Sequence, residues 1–590
     1  MRRVLSCISS CLFILATLWH PAIQPAQAEN APAANPVESL IERYTADRGT
    51  LASVYTDPLS PTTRGRMTRF DAETRKQLEA IDFAALDTEG KADYLLLVNH
   101  LDRTAHWRAV EDQQWKGVEP LLPFAPAIFA LEDARRKGER PNGEKAAGEL
   151  NEIEKSVAAE RNKLDASRGK ETAVADRIAA WRAAADLDQL RGQLQHWFDF
   201  YNGYDPEFTW WAAQPWKQAD AAMKEYADFL RAKIAGIAPG DVTTVIGTPV
   251  GRAALAASLA DEMIPYSPEE LIAMARTQMA WCKEQMIQAS REMGYGDDWR
   301  KALEKVKNSY VEPGEQPLLI RKLAQEGEQF AVKNDLVTVP PLASETWRME
   351  MLTPEEQLEN PFFTGGNTIS VSYPTDTMSF EQRMMSMRGN NPNFSHATVF
   401  HELIPGHWLQ EFMMARYRPY RQLFDTGFWH EGNAFYWEMI YWDRGYDATP
   451  EQRMGALFWR MHRCARILFS LSFQLGQMTT EQAVDLLVNE VGHERANAIA
   501  EVRRSVDGSY DPLYQCAYMV GALQFMALHH ELVESGKMTD RQYHDAILHE
   551  GPMPVEMLRA VLTSQPLTRE SKANWRFLEE PGVLKTPAGR

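Results

Sequence analysis

Apolar positions recur at helical spacing through most of the chain. From Val37 to about Ala238 the pattern reads as a succession of helices. Leu95, Leu96, Leu97 and Leu101 fit one amphipathic helix. Residues 144–195 are rich in Ala, Glu, Lys and Arg, with apolar residues spaced for long antiparallel helices. A further helix is predicted from Ser267 through Met293. Pro and Gly then punctuate residues 312–366. The run Thr368-Ile369-Ser370-Val371-Ser372-Tyr373 alternates polar and apolar side chains and ends at Pro374, which reads as a strand. Helical spacing returns at Ser395 and holds to the end. No internal repeat is found. The expected fold is mainly α: a large two-lobed helical structure with a small β element near the active site. The lobes are placed at 37–365 and 366–585.

Length supports two lobes, since 590 residues exceed what one small core organises. Apolar residues make up 44% and charged residues 24%, with 17 Trp, which fits a folded chain rather than a disordered one. Arg2 and Arg3, the apolar run Leu5–Leu18 and Ala26-Gln27-Ala28 read as a signal peptide over residues 1–28. Residues 29–36 read as a flexible leader. The apolar run is too short to span a bilayer. The protein is therefore expected to be exported, periplasmic or secreted, without stable membrane insertion after signal cleavage. Removing Arg2 and Arg3 takes the net charge from −18 to about −20. So acidic a chain is a poor partner for nucleic acid or anionic lipid. Of five Cys, Cys282, Cys464 and Cys516 would remain, too scattered for a disulfide framework. Cys464 and Cys516 read as buried thiols.

The chemistry concentrates after Ser395, which is read as the N-cap of the next helix. His401 and Glu402 are adjacent, and His407 follows six residues after His401. Two zinc-binding His with an intervening Glu are usually spaced i, i+4, one helical turn apart. On a regular helix, residues six apart point in different directions. Pro405 and Gly406 offer a way out. Pro405 cannot donate to the helix ladder, and Gly406 tolerates unusual backbone angles, so together they would break the helix and swing His407 back. Glu431 lies 24 residues beyond His407 on a predicted second helix, a suitable third ligand. Three protein ligands leave a position for water. Glu438, two turns on, could orient a ligating His. The expected cofactor is one zinc ion per chain, held by His401, His407 and Glu431, with Glu402 as general base.

These stretches resemble the domain-of-unknown-function 885 family of bacterial proteins, generally regarded as zinc metallopeptidases. Its HEAxPGHxxQ-like stretch is matched by His401-Glu402-Leu403-Ile404-Pro405-Gly406-His407-Trp408-Leu409-Gln410. Its EGWALYxE-like stretch is matched by Glu431-Gly432-Asn433-Ala434-Phe435-Tyr436-Trp437-Glu438. Further similarity falls at Glu501-Val502-Arg503-Arg504, Pro512, Gln515, Ala517, Tyr518, Gly521 and Gly551-Pro552-Met553-Pro554. The match is strong over roughly 365–565 and loose before that. Asn433, Ser470 and Gln474 depart from the pattern. The resemblance implies a peptide substrate and marks Tyr518 as the oxyanion donor, with Tyr514 and Tyr510 as alternatives. Arg463 and Arg466 are candidates to bind a substrate carboxylate. Tyr514 and Tyr373 are further substrate-binding candidates, the latter at the end of a strand that could pair with an extended peptide. Two other readings use the same residues: hydrolysis of a non-peptide amide, and a non-catalytic zinc-stabilised binding protein. Glu402 speaks against the last, because a base is not needed to hold zinc.

Overall fold

The computed structural model describes residues 35–166, 174–359, 362 and 364–586. The predicted signal peptide and leader residues 29–34 lie outside them. The end of the leader is corrected: a helix, Pro36–Val54, starts inside it, with Asn35 as cap and Pro36 in the first turn, where its missing N–H costs nothing. The fold is mainly α, as expected, with two short strands among the described residues. No described helix is long and apolar enough to cross a membrane.

The leucines at 95–97 and 101 are buried on one helix, Thr88–Val118. The 144–195 region forms Gly143–Ala166 and most of Val174–Tyr201. With Pro206–Phe229 these helices enclose an apolar core of their own, drawn from Val118 to Leu230. The helix predicted from Ser267 is Pro268–Glu292, begun by a capping box in which Ser267 and Glu270 satisfy each other's backbone N–H groups. The Pro- and Gly-punctuated stretch carries a helix that its composition hid, Gln316–Lys333, with Pro317 in the first turn.

The largest core gathers side chains from Val37 to Val583 and includes Phe400, Leu409, Trp429 and Tyr518. It joins helices from both predicted lobes. At their junction Arg421 is fully buried, donating to Asp93 at 2.8 Å, Glu89 at 2.6 Å and Glu550 at 2.7 Å. A third core lies between Pro268–Glu292 and Pro450–Gln474. All three remaining cysteines are buried free thiols.

The predicted strand forms over Thr368–Val371. It pairs in parallel with Arg348–Met351, which was not read from the sequence. On its other side Ser370 exchanges backbone hydrogen bonds with Thr364. Both flanks are therefore occupied at Ser370. The loop leading into the strand is anchored to the motif by Gly366, whose N–H donates to the Glu402 carbonyl at 3.2 Å.

Candidate metal centre

Helix boundaries around the motif differ from expectation. The helix before it is Pro392–His396, capped by Asn391, whose side chain accepts from the N–H groups of Asn393 and Phe394. Ser395 lies inside this helix rather than at its cap. Pro392 explains the shift, because proline is at home in a first turn. A separate short helix, Val399–Glu402, presents His401, and it stops at Leu403. The Ile404–Pro405 peptide is cis, and a new helix, His407–Met414, begins after Gly406. The helix break read from Pro405 and Gly406 is therefore present. Gly406 takes the unusual backbone angle expected of it, with φ −80° and ψ −134°, outside the common helical and extended regions. Contact adds a second constraint: a Cβ there would lie 1.8 Å from the His401 carbonyl oxygen. The chain folds back so tightly that Gly406 N–H donates to the Phe400 carbonyl at 3.0 Å.

This fold-back brings the imidazoles together, with ring centroids 4.8 Å apart and planes perpendicular. Glu431 meets both from Gly427–Asp443. Its Oε2 is 3.5 Å from His401 Nε2 and 3.2 Å from His407 Nε2. The three ligand atoms lie within 4.8 Å of one another, and all three residues are buried. The opposite ring nitrogens are engaged. His401 Nδ1 is 2.7 Å from Glu438 Oε1, and His407 Nδ1 is 3.0 Å from Gln410 Oε1. Gln410 donates in turn to Asn433 Oδ1 at 3.2 Å and to the His430 carbonyl at 3.0 Å. Asn433, one of the departures from the family pattern, thus belongs to the chain of contacts that orients His407. Ser470 and Gln474 face other partners, Cys516 and the Val250 N–H.

Electrostatics follow from burial and crowding. Burial disfavours charge on His401, but the adjacent Glu431 and Glu438 carboxylates and the Glu402 charge outweigh it, raising its pKa to about 9. Burial alone would raise Glu431, yet the two imidazoles hold it well below the usual carboxylate range. Glu402 lacks such direct pairing and is pushed up, mainly by burial. Its carboxylate is 4.0 Å from His407 Nε2.

His401, Glu402, His407 and Glu431 open onto a cavity of about 280 Å³. Arg463, Arg466, Tyr514 and Tyr518 line the same cavity, as do His430, Arg504 and Tyr510. Tyr514 Oη donates to Glu431 Oε1. The Tyr518 ring lies between two guanidiniums, with Arg463 Cζ 4.3 Å and Arg466 Cζ 4.5 Å from its centroid. Tyr373 is half-buried and is not part of this lining. Gln410 and Arg504 were matched in the sequence without a role, and His430 was given none. The backbone supports the arrangement. Gly427–Asp443 and Tyr514–His529 pack extensively. They touch where Gly432 faces Gly521: a Cβ on Gly432 would lie 2.6 Å from the Gly521 Cα. This close approach sets Glu431 opposite Tyr514 and Tyr518.

Fold and site together define a mainly helical protein built round a buried His–His–Glu cluster. The chain belongs to the bacterial family described as protein of unknown function, DUF885, which it matches over residues 43–562. The match extends across the N-terminal half, further than the motifs alone implied. Among curated proteins no sequence matches. Two solved structures share the fold. One is a candidate lipoprotein of unknown function from Shewanella oneidensis, 17% identical, with a TM-score of 0.65, covering 89% of this chain and 99% of that one. The other is a candidate lipoprotein from Colwellia psychrerythraea, 15% identical, with a TM-score of 0.57, covering 90% and 98%.

Proposed function

We propose that the protein is an exported, zinc-dependent peptidase acting on short peptides, with Glu402 as general base. The observation that carries this reading is the donor set. Two imidazoles turn their Nε2 atoms toward Glu431 Oε2, which is buried and accepts no hydrogen bond. A tetrahedral zinc with ligand bonds of ~2.0–2.2 Å sets ligand atoms roughly 3.3–3.6 Å apart. The Glu431 contacts of 3.5 and 3.2 Å fit that spacing. His401, His407 and Glu431 would hold the ion, and Glu438 and Gln410 would fix the imidazoles through Nδ1. Bound zinc supplies a water of lowered pKa and polarises the scissile carbonyl.

The chain's own residues do the rest. Glu402 faces the same cavity without a close charged partner and would accept the water proton, then return it to the leaving amine. Its raised pKa suits that exchange. Tyr518 remains the candidate oxyanion donor, while Tyr514 steadies Glu431 through its hydroxyl. Export is supported by the basic, apolar and small-residue segments of residues 1–28 and by the candidate lipoproteins that share the fold.

The test measures bound metal and hydrolysis of a peptide library, on the mature protein and on Glu402→Gln. About one zinc per chain in both, with cleavage only by the unaltered protein, is the expected result. Zinc without cleavage by either would favour the other-amide or binding-protein reading. Absence of metal from both would sink the proposal.

A further inference from the structure

Beside the proposed metal ligands, Arg463, Arg466 and Arg504 line the same cavity and form an arginine wall around Tyr518 and Glu501. Two of them are deeply buried, with Arg463 5% and Arg466 3% exposed. Their carboxylate partners are few. Arg466 Nε donates to Glu501 Oε1 at 2.6 Å, and Arg504 donates to the other oxygen of the same carboxylate. The ion-pair neighbour of Arg463 is Glu438, at 3.6 Å, and Glu438 is already committed to His401 at 2.7 Å. Glu402 and Glu431, across the same lining, add their charge to Arg463 and Arg466 without a hydrogen bond to either. Arg463 Nε, Arg466 Nη1 and Arg504 Nε make no hydrogen bond. Leaving three buried guanidinium N–H groups unpaired is costly unless an acceptor completes the cluster. Guanidiniums stacked on Tyr518 are also fixed in direction, as bidentate carboxylate recognition requires.

We infer that this arginine wall binds the terminal α-carboxylate of the substrate, making the enzyme a carboxyl-terminal exopeptidase. The inference rests on the peptidase reading and sharpens it. The cavity volume of about 280 Å³ falls just below the usual range for ligand pockets (~300–1,000 Å³), a size that suits the end of a peptide. Arg463, Arg466 and Arg504 are substrate-binding residues on this view, and Glu402 retains the proton transfers.

The experiment compares one peptide sequence in three forms: free acid, C-terminal amide, and amide with Glu as its last residue. Cleavage is measured with zinc-loaded enzyme. Binding of the free-acid and amide forms to metal-free protein is measured by calorimetry. The free acid is expected to exceed the amide at least tenfold in kcat/KM and to bind more tightly without metal. Arg463→Gln is expected to narrow the acid-to-amide ratio to below twofold. Should that variant fail to fold, the acid–amide comparison on the unaltered protein still decides. Equal cleavage of acid and amide would overturn the inference and leave the peptidase reading intact. Equal cleavage of the Glu-ended amide and the free acid would assign the wall to a side-chain carboxylate and overturn the terminal assignment. Carboxylate-selective binding without cleavage would support the wall and reject hydrolysis. Neither selectivity nor cleavage would reject both.

Discussion

Gly406→Ala tests the fold-back that would let histidines six residues apart share the proposed zinc. The added Cβ would lie 1.8 Å from the His401 carbonyl oxygen, whereas real Cβ contacts essentially never fall below 3.0 Å. At least about 1.2 Å of movement must therefore separate Gly406 from His401. Neither side can yield easily. His401 and Leu409 are buried in packed surroundings, and the backbone bond from Gly406 to Phe400 closes the turn. Ligand distances in a metal site tolerate roughly ±0.2 Å, so the required shift exceeds the tolerance several-fold. His407 starts the helix immediately after Gly406 and would move with it. Disturbing a contact behind a ligand already costs ~10–100-fold in affinity, so displacing a ligand should cost at least about 100-fold. The assay is zinc competition against a chromophoric chelator, with circular dichroism to verify that the helices persist. Unaltered zinc affinity in a folded Gly406→Ala protein would refute the reasoning, because the metal could not then depend on the turn.

Three further outcomes are expected. Glu438→Gln removes the carboxylate from His401 Nδ1 and should lower zinc affinity by ~10–100-fold, read by the same competition assay. Arg421→Met leaves Asp93 buried without its charge partner and should destabilise the fold by ~3–5 kcal/mol, seen as a lower denaturant midpoint with the slope unchanged. Glu262, buried and raised to about 7, accepts from Thr426, the cap of the helix that carries Glu431. Because its folded-state pKa lies above the unfolded one, its contribution is fully present below about pH 4.5 and is lost as pH rises through about 7. Glu262→Gln should therefore flatten the fall in stability between pH 5 and pH 8. An unchanged slope in denaturation series at the two pH values would contradict that assignment.

Much of this architecture is legible in local sequence because local forces set it. Ser267 and Glu270 declare a helix start in a few residues, and the alternation at 368–371 declares a strand. His401, His407, Glu431 and Glu438 were recognisable because ligand chemistry restricts residue type and spacing. The partner strand Arg348–Met351 was hidden because its pairing is non-local and its apolar face, Met349 and Met351, is short and only half-buried. Asn391 was overlooked as a cap because Ser395 also suits that role, and Pro392 decides between them. The unusual angle at Gly406 was legible from its residue type, but the close approach of the His401 carbonyl was not. The same holds for Gly432 and Gly521, whose smallness matters only once two helices meet, and for Arg504, whose Glu501 contact and cavity position emerge only in three dimensions.

The core beside the His–His–Glu cluster recruits side chains from Val37 to Val583, which has a temporal consequence. Ribosomes add roughly 5–20 residues per second, so a chain of 590 residues takes on the order of half a minute to two minutes to make. Tyr518, which lines the cavity with His401, His407 and Glu431, follows Glu431 by 87 residues, roughly 4–17 seconds at that rate. The cluster residues are therefore synthesised before the cavity around them can close. Its assembly waits for Tyr514–His529, late in the chain.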